Sequence, residues 1–245
     1  YLIPDGQVFA TDVSTERLSI SSRVNDVELG KSGNTSAITI ADAIDVTGSV
    51  QVWGSVINLN ADITSDASQT YTGATVLGGN TTLIADNSGT LGSITFDGAL
   101  NSSGTSSASD NRTLSLTGNA VFEGAVGGAD YGSLGSLTVS GTSTINGGSV
   151  KTAGIQTYSG AVTLGAGTTI TTTDSTVTFG NTLDSDSTAR ALTLTAGTGN
   201  IDFDGAVGDG ANAALGAVTI TSAATVDTDG VFKAASFTQS AGSVA

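Results

Sequence analysis

The chain has 245 residues, enough for one large domain with a sizeable buried core. It carries 34 Gly, one Pro, no Cys and no His, and only 12% of its residues are charged. Those absences exclude thiolate and imidazole metal sites, thiol catalysis and a Ser-His-Asp triad, while a formal net charge of −15 repels a phosphate backbone and makes nucleic acid an unexpected partner.

In chain order, the front segment "YLIPDGQVFATDVSTERLSISSRVNDVELG", residues 1–30, is the least patterned. It begins at Tyr1 without a signal peptide, which suggests a processed chain or a fragment. No run of about eighteen apolar residues occurs anywhere, so direct membrane insertion by a helix is not expected. Further on, "SQTYTGATVLG" at residues 68–78 returns as "IQTYSGAVTLG" at residues 155–165. Gln69 and Gln156 stand 87 residues apart, Phe96 and Phe179 83, and Phe122 of "FEGAVGG" and Phe203 of "FDGAVGD" 81. "SLGSLTVSGTSTINGG", residues 133–148, likewise matches "ALGAVTITSAATVDTDG", residues 214–230. The four basic residues beyond residue 60 fall into pairs, Arg112 with Arg190 and Lys151 with Lys233. Two repeats of about eighty residues therefore cover roughly 68–154 and 155–236, and "FTQSAGSVA" begins a truncated third near residue 237.

Within a unit, "AVTLG", "TTITTT", "TVTFG", "ALTLT", "NIDFDG" and "AVTIT" alternate apolar and small polar residues, the period of strands with one buried face. Thr, Val, Ile and Gly are poor helix formers, and the Gly, Asn, Asp and Ser between the runs are turn residues. Antiparallel sandwiches would call for hairpin dipeptides and a large aromatic core, whereas aromatics make up 5% here. Medium aliphatic residues suit the narrow interior of a stacked solenoid. The expected fold is all-β, one elongated parallel β-helix (β-solenoid) over residues 1–245, with right-handed winding favoured by crossover handedness. Coils of about twenty to twenty-seven residues would place three or four in each unit.

"SVINLNADITSDASQTYTGATVLGGNTTL", residues 55–83, and "AGIQTYSGAVTLGAGTTITTTDSTVTFGNTLDSD", residues 153–186, resemble repeats of filamentous-haemagglutinin-like surface proteins of Gram-negative bacteria, and the likeness extends over about residues 38–245. The resemblance implies a right-handed β-helix shaft, secreted and displayed on a Gram-negative cell surface or released, working in adhesion or biofilm matrix. Implied partners are host or neighbouring-cell surface glycans or proteins, or other copies of the chain.

Few side chains invite chemistry. "DNR" at residues 110–112, and Asp184 with Asp186 and Arg190, are the carboxylate and basic clusters a polysaccharide-degrading β-helix would use, yet the basic residues recur in both units, as scaffold positions do, so no catalytic residue is expected. Asp202 with Asp204, and Asp227 with Asp229, place paired carboxylates in "NIDFDG" and "TVDTDG", the hard oxygen ligands that Ca²⁺ takes, although calcium-roll and EF-hand motifs are absent; solvated acidic turns are the plainer alternative. Strings such as "TITTT", Thr169 to Thr173, raise an ice-binding face, against which the insertions after Asp97, Asp130, Asp184 and Asp209 are expected to break coil register. Of the sizeable polar-tipped rings, Tyr71 and Tyr158 are repeat equivalents suited to core or corner roles, and Trp53 and Tyr131 are unpaired. Sequons at Asn34, Asn80, Asn101 and Asn111 are expected by chance in Thr-rich loops.

The expected function is a non-catalytic structural shaft of a surface adhesin or extracellular fibre. The alternatives are a carbohydrate- or receptor-binding module built on lateral insertions, notably 100–111 and 127–132, and a self-assembling filament subunit.

Overall fold

The computed structural model of the protein describes residues 24–105, 108–211 and 213–244, with the backbone of Val13–Ser14. The expectation that the solenoid includes the front of the chain therefore falls, for residues 1–23, largely outside the described residues.

Among the described residues every regular element is a strand, and most are three or four residues long. Val162–Leu164 is typical: Val162 and Leu164 are buried and Thr163 points outward between them. Neighbouring strands pair in parallel, and the antiparallel pairs among the described residues are two small hairpins. The chain passes three faces in turn and repeats them in about nine turns of a β-solenoid. The first face holds residues 50–52, 69–71, Ser93–Phe96 and Asn119–Phe122; the second holds 57–59, 75–77 and Leu100–Ser102; the third holds Ile63–Ser65, Thr81–Asn87 and Leu114–Thr117.

Matched residues of neighbouring coils lie 19 apart at Ile38 and Ile57 but 33 apart at Leu83 and Leu116, a wider range than twenty to twenty-seven. The longest coil sheds its excess as the two hairpins, Asp86–Asn87 against Thr90–Leu91 and Gly104–Thr105 against Ala108–Ser109. Register is kept because the inward Val, Leu and Ile side chains set it. A one-residue slip would turn every one of them out to water.

One apolar cluster runs through the stack from Val27 to Val226. Each buried Val, Leu or Ile contributes about 1.5–3 kcal/mol, and much of that surface is covered only when the next coil is laid down. Phenylalanine and tyrosine form two ladders in this core. Tyr71, Phe96 and Phe122 stack with ring centroids 5.2 and 5.8 Å apart, and Tyr158, Phe179 and Phe203 stack at 5.4 and 5.2 Å.

These ladders are repeat equivalents, yet Tyr71 lies on the first face and Tyr158 on the third. From Gln69 to the start of the next unit the chain makes eleven passes across a face, counting the Val126 bridge, which is three full coils and two further faces. The second unit is thus rotated by two faces relative to the first. Alternating residues tolerate this, because a strand with one apolar side fits any face of a roughly threefold interior.

Candidate functional site

The repeated "QTY" string builds a buried polar clasp in each unit. Gln69 is fully buried; its Nε2 donates to Ile84 O at 2.7 Å, Ser65 Oγ at 3.1 Å and Ile63 O at 3.3 Å, while its Oε1 accepts from Tyr71 OH at 2.7 Å. Gln156 repeats the pattern, donating to Thr171 O at 3.0 Å, Thr152 Oγ1 at 3.2 Å and Val150 O at 3.4 Å, and accepting from Tyr158 OH at 2.9 Å. The clasp ties a strand to the preceding face of its own coil and of the next. Burial pushes both tyrosine hydroxyls well above their ordinary range, so they remain protonated donors. Tyr71 and Tyr158 are core residues, as their repeat equivalence suggests, and no sugar-binding platform is made from them.

The outward residues carry what surface chemistry there is. Asp202 and Asp227 are register neighbours on the outside of the third face, and Asp204 and Asp229 follow in the turns, their N–H groups donating to Phe179 O and Phe203 O at 3.0 Å. Partial burial, then the charges of Asp204 and Asp227, push the Asp202 carboxyl up. Asp227 Oδ1 accepts from the Thr228 N–H at 2.9 Å. Among the described residues, no three acidic side chains gather into a group that could hold a metal ion.

The other acidic clusters are tied into turns. Arg190 makes a two-pronged contact with Asp186 at 2.9 and 2.6 Å, which holds Asp186 below the usual carboxylate range, and Asp184 instead accepts from Gly210 N–H at 3.2 Å. Arg112 faces Asp110 at 3.5 Å. In both units the arginine backbone N–H donates to a serine at the end of the strand on the preceding face at 2.9 Å, Ser102 for Arg112 and Ser185 for Arg190. Asn34, Asn80 and Asn101 are turn-holding acceptors for Ser36, Thr113 and Ala129 N–H.

No family model, no curated protein and no solved structure matches this chain.

One expectation about the surface is overturned. The insertions after Asp184 and Asp209 do not break coil register, for Ser149, Thr169, Thr193, Thr219 and Thr238 stand in line on the outside of the second face. The extra residues leave through the corners, so this outward row keeps its pairing. A single bulge, between Leu194 and Thr195, shifts the neighbouring row and pairs Thr195 with Ser222. Trp53 is half-buried within Val50–Leu59, its carbonyl accepting from Asn34 Nδ2 at 2.8 Å, whereas Tyr131 is 46% exposed.

Proposed function

We propose that this chain is a non-catalytic shaft segment of a secreted or cell-surface adhesin or extracellular fibre, of the filamentous-haemagglutinin-like kind found on Gram-negative bacteria. The observation that carries the reading is the uninterrupted parallel stack, with one apolar cluster from Val27 to Val226 and the same clasp built twice along it. About nine turns at about 4.8 Å each make a body about 43 Å long. Such a stack resists bending, because bending would stretch hydrogen bonds on one face and crush apolar contacts on another. Rotation of the second unit by two faces also spreads equivalent outward residues around the axis, which suits a spacer better than a one-sided enzyme groove. The acidic surface keeps such a body soluble and limits lateral association. Its partners would be host or neighbouring-cell glycans or proteins, or other copies of the chain.

Immunogold labelling of intact source cells tests the reading. Label standing away from the outer surface, or on released fibres, is the expected result; label that enters only after lysis would sink it.

A further inference from the structure

The two units share a backbone frame at one corner and differ in what fills it. In the first, Gly127 adopts φ +68 and lies so close to the Lys151 carbonyl that a Cβ would stand 2.1 Å from it; in the second, Gly208 at φ +66 meets the Lys233 carbonyl at the same 2.1 Å. No side chain fits there, so both corners turn alike. The next residue differs. Asp209 follows Gly208 and forms an ion pair with Lys233, whereas Gly128 follows Gly127 and no ion pair or side-chain hydrogen bond forms to Lys151 among the described residues.

At the first corner lies a cleft of about 470 Å³, lined by Gly128, Ala129, Asp130, Tyr131, Ser133 and Lys151. Tyr131, one of the lining residues, has φ +58, a left-handed conformation that is costly for an aromatic residue and is held here by the surrounding loop. The Ala129 N–H donates to Asn101 Oδ1 at 3.0 Å, Gly132 N–H to Ala129 O at 3.0 Å, and Ser102 N–H to Gly132 O at 2.8 Å, pinning the loop to the strand below. The counterpart of Tyr131 in the second unit is Asn212, which lies outside the described residues.

We propose that this cleft is a binding site for a neutral saccharide, one pyranose ring lying on Tyr131 and its hydroxyls held between Lys151 and Asp130. The proposal rests on and deepens the glycan-partner part of the proposed function, while the shaft itself stands or falls separately by the labelling test. An exposed ring offers an apolar face to the C–H side of a sugar, and a cation and a carboxylate in the same cleft supply a charge-assisted donor and acceptor for neighbouring hydroxyls. The small residues Gly128 and Ala129 leave room for the ring. A polyanionic sugar fits less well, since Asp130 lines the cleft and the chain carries a net charge of −15.

The test is calorimetric titration of the intact chain with glucan, mannan and galactan hexasaccharides, and with polygalacturonate. The expected result is binding of at least one neutral hexasaccharide that weakens about tenfold in Tyr131→Gly and about fivefold in Lys151→Ala. Glycine accepts the φ of Tyr131 without strain, so Tyr131→Gly should melt no lower than the parent chain, and Lys233→Ala, at the matching corner, should bind as the parent does. Failure of every neutral hexasaccharide to bind, binding indifferent to Tyr131→Gly, or binding of polygalacturonate alone would each overturn the proposal.

Discussion

The first unit, 68–154, and the second, 155–236, use the same apolar ladder and the same glutamine clasp on different faces of one stack. What they share is the set of contacts a coil needs to be covered by the next: Tyr71, Phe96 and Phe122 in one, Tyr158, Phe179 and Phe203 in the other. What differs lies at the corners, where the first unit extends the Gly104–Thr105 and Ala108–Ser109 hairpin and carries the Tyr131 cleft, and the second places the Lys233–Asp209 pair at the matching corner. Strands must keep their inward side chains covered, whereas corner loops can lengthen outward into water, so drift and new surface chemistry accumulate at corners.

The broadest way to break this comparison is to add to it. Inserting a further copy of residues 155–236 ahead of residue 237 should lengthen the body by three coils and two faces, about 18 Å, with no change in cross-section by small-angle X-ray scattering. Growth in width instead would mean that the unit folds back on itself and that the phase of eleven passes is not a property of the repeat.

Matched core truncations come next. Phe96→Ala and Phe179→Ala remove the middle ring of each ladder, and each should cost about 3–5 kcal/mol in urea unfolding. Equal losses in a single transition are expected of one continuous core; two transitions, each sensitive to one substitution, would separate the units energetically.

The clasps should be weaker but equally matched. Gln69→Leu and Gln156→Leu each strand a buried tyrosine hydroxyl and should cost about 1–3 kcal/mol, and adding Tyr71→Phe or Tyr158→Phe should recover part of the loss by removing the orphaned group. Lack of recovery would show that the glutamine acts through the acceptors of its Nε2 alone, Ser65 or Thr152 hydroxyl included.

The smallest effect is one of pH and belongs to the second unit. The Asp202 carboxyl is pushed up by burial and by Asp204 and Asp227, so the folded chain binds this proton more tightly than the unfolded chain does. Its ionisation therefore opposes folding at neutral pH, and that penalty disappears as pH falls through the raised pKa. Asp186, pulled down by Arg190, and Asp26, pulled down by the N–H and hydroxyl of Ser49, act in the opposite sense: their contribution is present above the ordinary aspartate range and is lost as pH falls through their lowered folded values. Asp202→Asn should raise the melting temperature slightly at pH 7, and the gain should shrink on acidification. A gain that grows toward low pH would contradict this assignment.

Much of the fold was legible without coordinates because its determinants are local. Alternation in "AVTLG" or "ALTLT" is a property of one strand, and the paired offsets of Gln69 and Gln156 or Lys151 and Lys233 need only the chain itself. The burial of Tyr71 and Tyr158 followed from their equivalence. The candidate site was legible only in part. Tyr131 stood out as an aromatic without a partner, but nothing in the string "GGADYG" places it beside a lysine twenty residues on. The "FEGAVGG" and "FDGAVGD" pair held a usable signal, since one ends in Gly128 and the other in Asp209, the partner of Lys233.

By itself, then, the sequence determined that the protein is all strand, stacked, duplicated and free of imidazole and thiol chemistry, for these follow from residue types and their spacing along the chain. Only the tertiary structure decided which face each strand occupies, that insertions leave the sheets in register, and that the second unit is rotated by two faces. The physical reason is that an alternating strand fits every face equally well. Its face is chosen by the number of passes before it and by the corners that carry surplus residues outward, neither of which is written in any one strand.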